Sequence, residues 1–424
     1  MKKINVFKAL IDLKRTFINT LTPKCLKDHD GRKFTRKRVL WLGRLLVIIL
    51  RCSPYSLQIR SDDYFKEIGY KEAAVSRQAL SKARGKLDSE IVRESFLQTA
   101  HTLSSCEDLE LYRGKYRLCA IDGSDIILDN APELLDYFGG SGRNSDCATA
   151  LASLCYDPLN NTILDGNLYP YGTDERFAAG EHIDAVNALP LPYGIENLFI
   201  FDRGYPSRKF IAELIDGKKY FLMRVRNKFN TDIDLAKRSE LIYFEHLGKQ
   251  YYVRVFKVIL ESGVEEILIT NLKAKHLTKK EISDLYFKRW SIEIKYNSLK
   301  NKLELENMSG RRVCTTYQDF WAKLDMANTA AALQFESDEI IDEKTKGKNN
   351  KYKQRTNENR LITKFSDKYL DLLGTEDSAE RMQMFEELIH DISRRPVEVK
   401  PGRCTERVPP RKKKFCDRIK RALR

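Results

Sequence analysis

The stretch from Thr278 to Leu303, TKKEISDLYFKRWSIEIKYNSLKNKL, constrains this chain more than any other. Thr278 and Glu281 have the S/T-x-x-E spacing of a capping box, and no proline or glycine follows before Leu303, so the spacing predicts one helix. Ile282, Leu285, Ile292, Tyr296, Leu299 and Leu303 recur at helical spacing and form one apolar stripe. At about 100° per residue, Tyr286, Arg289, Glu293, Asn297 and Lys300 fall on a neighbouring arc about 80° wide. A half-buried helix thus carries a carboxylate flanked by two cations and a phenol. Taken pair by pair, ordinary i,i+4 charge contacts would account for them.

A carboxylate on such an edge becomes a site only if partners converge on it. Two candidates lie upstream, each in an apolar run. Arg117 to Leu128, RLCAIDGSDIIL, holds Asp122 in its middle, and Asn197 to Asp202, NLFIFD, ends on an aspartate followed by Arg203-Gly204-Tyr205. A carboxylate inside a buried strand is costly unless it is paired or binds a metal. Gly123 lets another group approach the backbone closely. Either aspartate alone reads equally well as a residue capping a turn. Asp125 reads as a polar strand-end residue.

Between these runs, Ala148 to Tyr156 and Thr162 to Tyr169 form a hairpin around Asp157-Pro158-Leu159-Asn160-Asn161. A helix from about Arg176 to Leu189 precedes the second aspartate; a helix (Ser207 to Asp216) and a strand (Tyr220 to Arg226) follow it. In Asn227 to Leu272, YYVRVFKVI and EEILITNL alternate like strands around Glu261-Ser262-Gly263. Thr316 to Phe335 is read as a core helix packed over the signature helix.

The flanks differ in texture. The N-terminal 105 residues read as helical, with Arg32, Lys33, Arg36, Lys37 and Arg38 ahead of a Leu40–Leu50 core helix and a break at Ser53-Pro54. In VSRQALSKARGKL, Leu80, Ala83 and Leu87 share one face and Arg77, Ser81 and Arg84 another. That suits a helix-turn-helix-like DNA reader and a plain bundle with a basic face equally. Asp342 to Asn359 reads as an exposed linker, and Ser378 to Ile392 as a helix. From Arg394 onward, 13 basic residues face three acidic ones, and they supply most of the chain's net charge of +15. The balance favours a polyanionic partner, with phosphate contacts that carry affinity rather than sequence information. Nine cysteines without a C-x-x-C pair indicate neither a disulfide framework nor a zinc site. No secretory leader or bilayer-length apolar run is evident, so a cytoplasmic, nucleoid-associated protein is expected.

The spacing Tyr286-x2-Arg289-x3-Glu293-x6-Lys300 resembles the Y-R-E-K signature of bacterial cut-and-paste DDE transposases of the insertion-sequence-four family. The resemblance covers Lys115 to Phe335 well and the flanks loosely. It implies that Glu293 is the third metal-binding carboxylate and that Asp122 and Asp202 are the first two, separated by 80 and 91 residues. It implies an RNase H-like α/β catalytic core with a mixed five-stranded sheet in an α+β multidomain chain. The expected layout is a helical DNA-binding domain at 1–105, a catalytic domain at 106–226 and 273–340, a β-rich insertion at 227–272, and a helical, basic C-terminal region at 341–424. Two Mg²⁺ ions, replaceable by Mn²⁺, would be held with Asp122 bridging. Tyr286, Arg289 and Lys300 would grip phosphates beside the scissile one. Trp290 would stack on a displaced base or pack inside, and Arg203 would contact DNA or pair with a carboxylate. Glu175 and Arg176 also resemble a feature of the family, with an open role. The implied partners are double-stranded DNA, as terminal inverted repeats and target, and a second copy in a paired-end complex. Two rivals stand: a nuclease of the same fold without strand transfer, and an idle descendant kept for DNA binding.

Overall fold

The structure, a computed structural model, describes residues 2–22, 34, 39–51, 55–71, 74–140, 147–236, 239–259, 263–273 and 277–400. The basic cluster from Arg32 to Arg38, the Ser53-Pro54 break, the loop around Ser141 to Arg143, Glu261-Ser262 and the tail beyond 400 lie outside the described residues. Helices α1 (Val6–Thr20), α2 (Leu42–Leu50), α3 (Leu57–Glu67), α4 (Arg77–Arg84) and α5 (Ser89–Ser104) precede strand β1 (Tyr116–Ile127). Next come α6 (Pro132–Phe138), β2 (Thr149–Asp157), β3 (Thr162–Pro170), α7 (Glu175–Ala188), β4 (Glu196–Phe201), α8 (Arg208–Asp216), β5 (Tyr220–Val225) and α9 (Thr231–Leu235). After β6 (Ser239–His246), β7 (Lys249–Ile259) and β8 (Glu265–Thr270) come α10 (Lys279–Phe287), α11 (Trp290–Asn301) and α12 (Val313–Thr345). β9 (Lys353–Arg355), α13 (Glu358–Gly374), α14 (Ser378–Ser393) and β10 (Val397–Val399) complete the described chain. None of the described helices is long and apolar enough to cross a membrane.

The chain divides into two units, with boundaries after Asp108, Ser124, Ala150 and Asn297. In the unit holding both ends of the chain, α12 is the central element. It packs against α1, α2, α5, α13 and α14. Its buried face is not purely apolar. Asp325 receives Lys14 Nζ at 2.5 Å and the hydroxyls of Ser95 (2.8 Å) and Thr99 (2.6 Å), so the buried charge is fully partnered. Arg84, expected on an outward basic face, is instead buried and paired with Asp319 at 2.7 Å. Arg77 and Ser81 do face solvent. The expected linker at 342–359 holds the end of α12 and β9, which pairs with β10.

The other unit is built on one sheet of order β3-β2-β1-β4-β5-β8-β7-β6. β1, β4 and β5 run parallel, and β8, β7 and β6 follow antiparallel. The sheet has eight strands among the described residues, and the segment expected as a β-rich insertion supplies β6, β7 and β8 of it. Left as an edge, β5 would expose unpaired backbone groups; β8 covers that edge in register Leu222↔Thr270. Sequence alternation anticipated β7 and β8 but missed β6, whose exposed Leu241 and Tyr243 blur its pattern.

Strict alternation sorts the central strands. Cys119, Ile121, Phe199 and Phe201 point to one face and pack with residues of α7 and α8. Leu118, Leu198 and Ile200 point to the other and meet Ile282, Leu285 and Tyr286 of α10. Helix α7 is tied down by buried His182, whose Nδ1 lies 2.7 Å from Asp165 Oδ2 and whose Nε2 lies 3.0 Å from Ser153 Oγ.

Candidate active site

Parity and register bring the two aspartates together. Asp122 shares the side of Leu118, and Asp202 the side of Leu198 and Ile200. With Cys119 opposite Phe199 and Ala120 opposite Ile200 in parallel strands, Asp122 in the middle of β1 comes level with Asp202, which follows the end of β4, on the α10 side. The Asp122 carboxylate accepts the Gly123 N–H at 3.0 Å, and that of Asp202 accepts the Gly204 N–H, closing the Asp-Arg-Gly turn.

The signature stretch starts as expected. Thr278 accepts the Glu281 N–H at 3.2 Å while Glu281 receives the Thr278 N–H at 2.8 Å. It is not one helix, however: α10 ends at Phe287 and α11 begins at Trp290. Across the break the bonds are i→i−3, with the Arg289 N–H on the Tyr286 carbonyl (3.0 Å) and the Ile292 N–H on that of Arg289 (3.1 Å). In such a tight turn residues three apart eclipse rather than spread over an arc. Arg289 accordingly sits over the Tyr286 ring, its guanidinium carbon 5.8 Å from the centroid, with Trp290 5.0 Å away.

That position aims Arg289 inward. Its guanidinium lies 3.5 Å from Asp122 and 3.0 Å from Glu293, and its side chain is only 5% exposed. Glu293 stands in the first turn of α11, where the helix dipole favours a negative charge. Tyr296, one turn on, is buried, and its hydroxyl lies 2.7 Å from the Ala152 carbonyl and 3.0 Å from that of Asp122. This anchor, missed by the sequence reading, was signalled by a phenol standing inside an otherwise apolar stripe. Burial pushes the Asp122 carboxyl up to about 7; Arg289 opposes that, and the charges of Asp202 and Glu175 add to it.

The remaining expected contact residues scatter. Tyr286 is buried in the core beside Leu285, its hydroxyl pushed up to about 12 by burial, so its ring supports Arg289 rather than facing outward. Trp290 is 41% exposed, which decides against packing inside. Arg203 is exposed, next to Asp202. Lys300 Nζ donates to the Asp125 carbonyl at 2.8 Å. Gly123 has a definite neighbour: an added Cβ would lie 2.8 Å from Leu151 Cδ1 and 3.5 Å from Glu175 Cδ.

The donors gathered here are hard carboxylate oxygens on three chain segments, which suits Mg²⁺-like ions in kind. Among the described residues no group of three His, Cys, Asp or Glu side chains stands ready to hold an ion, and Arg289 pairs with both Asp122 and Glu293.

Comparison with known proteins bears on this arrangement. A family model described as "Transposase DDE domain" matches residues 113–328, just over half of the 424-residue chain. A protein of Synechocystis sp. assigned as a transposase for insertion sequence element IS4SA is 23% identical over 282 residues, covering 63% of this chain and 72% of the relative. Among solved structures, the piggyBac transposase synaptic complex with hairpin DNA aligns over 91% of this chain and 84% of its own, at 9% identity and a TM-score of 0.44.

Proposed function

The chain belongs to the DDE transposases, DNA-cleaving and DNA-joining enzymes that use divalent metal, and is of the insertion-sequence-four type; from that premise we propose that Asp122, Asp202 and Glu293 are its catalytic carboxylates. The observation that carries the assignment is the Arg289 guanidinium, which reaches both Asp122 of β1 and Glu293 of α11 although 167 residues separate Asp122 from Arg289. Asp122 would be shared by two Mg²⁺ ions, with Asp202 and Glu293 each completing one, and Mn²⁺ would substitute. When bound, the ions supply relief of charge on the phosphoryl group and activation of the attacking oxygen.

The chain's own residues do the positioning. Tyr296 fixes α11 against the carbonyl of Asp122, so Glu293 and Asp122 keep their spacing. Arg289, backed by Tyr286, holds the two carboxylates apart from each other's charge and presents a cation to the phosphate beside the scissile one. Exposed Arg203 extends that grip along the backbone, and exposed Trp290 offers a stacking face for a displaced base. Water attack at a transposon end frees a 3′-OH, which then attacks target DNA in the same site.

The order β3-β2-β1-β4-β5, with β1, β4 and β5 parallel, supports an RNase H-like core within the larger sheet. Residues 1–105 and 341–424 are read as DNA-contacting flanks, and two copies are read as acting on paired ends, since one chain supplies one set of carboxylates.

Replacing Glu293 by Gln keeps size and helix propensity but removes the charge. Folding and binding of end DNA should survive while Mg²⁺-dependent nicking falls by several orders of magnitude. Asp122→Asn and Asp202→Asn should match it, with little further loss on combination. A Glu293→Gln protein nicking at the parental rate would overturn the assignment. Nicked ends that never join would instead mark a nuclease without strand transfer.

A further inference from the structure

The Asp-Gly pair of β1 has a second neighbour that three catalytic carboxylates leave unused. Glu175 opens α7, yet it does not cap that helix, because Asp174 already accepts the Arg176 N–H at 3.0 Å. Its carboxyl carbon stands 3.5 Å from where a Cβ of residue 123 would be, so Glu175 lies within van der Waals reach of the residue that follows Asp122. It comes from the α7 side of the sheet, whereas Glu293 comes from the α11 side, and its own charge acts on Asp122. Glu175 is exposed and could swing into water to escape like charges. Instead it stays beside Asp122, where Arg289 pairs with Asp122 and Glu293.

An independent feature points at the same spot. Tyr205 is 1% exposed, and its hydroxyl has no hydrogen-bond partner within ordinary distance. It faces the carboxylates of Glu175 and Asp122. A buried hydroxyl left unmatched at a carboxylate cluster is costly, and the cost is removed when a neighbouring carboxylate turns to accept from it.

We propose that Glu175 is a fourth carboxylate of the divalent-cation site, supplying an oxygen donor to the ion and its waters, with the Tyr205 hydroxyl orienting it. The inference rests on the assignment of Asp122 to that site. Mg²⁺ keeps several waters and binds through few carboxylates, so an added acceptor acts on the hydrated ion. Partners of this kind typically contribute 10–100-fold to metal affinity.

The test is Mn²⁺ binding to the full chain without DNA, followed by the electron paramagnetic resonance signal of free Mn²⁺. Glu175→Gln should weaken binding about tenfold or more, Tyr205→Phe less but in the same direction, and Asp184→Asn, exposed on the same helix, not at all. Parental affinity in Glu175→Gln alongside lost affinity in Asp122→Asn overturns this inference alone. Parental affinity in both variants overturns the site assignment as well.

Discussion

The Tyr296 hydroxyl lies 3.0 Å from the main-chain carbonyl of Asp122, so the helix carrying Glu293 is bolted to the strand carrying the first aspartate. The same hydroxyl reaches the Ala152 carbonyl at 2.7 Å on the neighbouring strand. Tyr296→Phe removes the donor and leaves two carbonyls short of a partner in a buried place. Stability should fall by about 1–3 kcal/mol in urea unfolding. Nicking should fall further than that loss of folded protein accounts for, since Glu293 loses its reference to Asp122. A variant that is destabilised but nicks normally per folded molecule would reduce Tyr296 to packing.

Gly123 is predicted to accept a side chain only at a cost. An alanine Cβ would meet Leu151 Cδ1 at 2.8 Å, and Leu151 is itself buried against Tyr169 and Ala178. Gly123→Ala should cost about 1–3 kcal/mol. Shortening the neighbour makes room, so Gly123→Ala with Leu151→Ala should cost clearly less than the two single changes added together. Additive costs would show that the strain lies elsewhere.

Arg84 and Arg77 lie two turns apart on α4 and should separate cleanly. Arg84 pairs with Asp319 and donates to Gln318 Oε1 at 2.9 Å in a buried setting. Arg84→Met takes from buried Asp319 its paired guanidinium, leaving the Ser309 donors, and should cost about 3–5 kcal/mol. Arg77→Ala, at an exposed position, should leave stability within about 0.5 kcal/mol. If α4 faces DNA, Arg77→Ala lowers affinity and shallows its salt dependence. Equal stability of the two variants would contradict the burial of Arg84.

Glu336 gives a pH dependence. It is buried on α12, its Oε1 has no partner, and burial pushes its carboxyl up to about 8, with the Phe7 N–H opposing and Glu339 adding to the rise. Below the ordinary carboxylate range both folded and unfolded chains hold the proton, and the group is neutral to stability. As pH rises towards 8 the unfolded chain releases its proton first, so this group lowers stability across that window. Glu336→Gln should remove the decline, seen as a flatter unfolding midpoint between pH 5 and 8. An unchanged slope would assign the decline to other groups.

Local pattern determined much of this protein. The capping box at Thr278, the hairpin turn at Asp157 and the alternation of Cys119 to Ile121 and Leu198 to Phe201 are short-range facts, and the structure shows each where the pattern put it. The two upstream aspartates were legible for the same reason, since an acid in an apolar run is conspicuous.

Tertiary structure decided the rest. Nothing in Phe287-Lys288-Arg289 marks the end of a helix, because neither glycine nor proline is present. The choice of i→i−3 over i→i−4 bonding there accompanies the placing of a guanidinium against carboxylates contributed by other parts of the chain, a contact no local period encodes. The same holds for Arg84, outward on a helical wheel but drawn in by Asp319, 235 residues later. It holds for β6 to β8, joined to the sheet because β5 offered an unpaired edge. Periodicity tells which side of an element is apolar; which charges meet depends on distant segments, and only the fold brings those together.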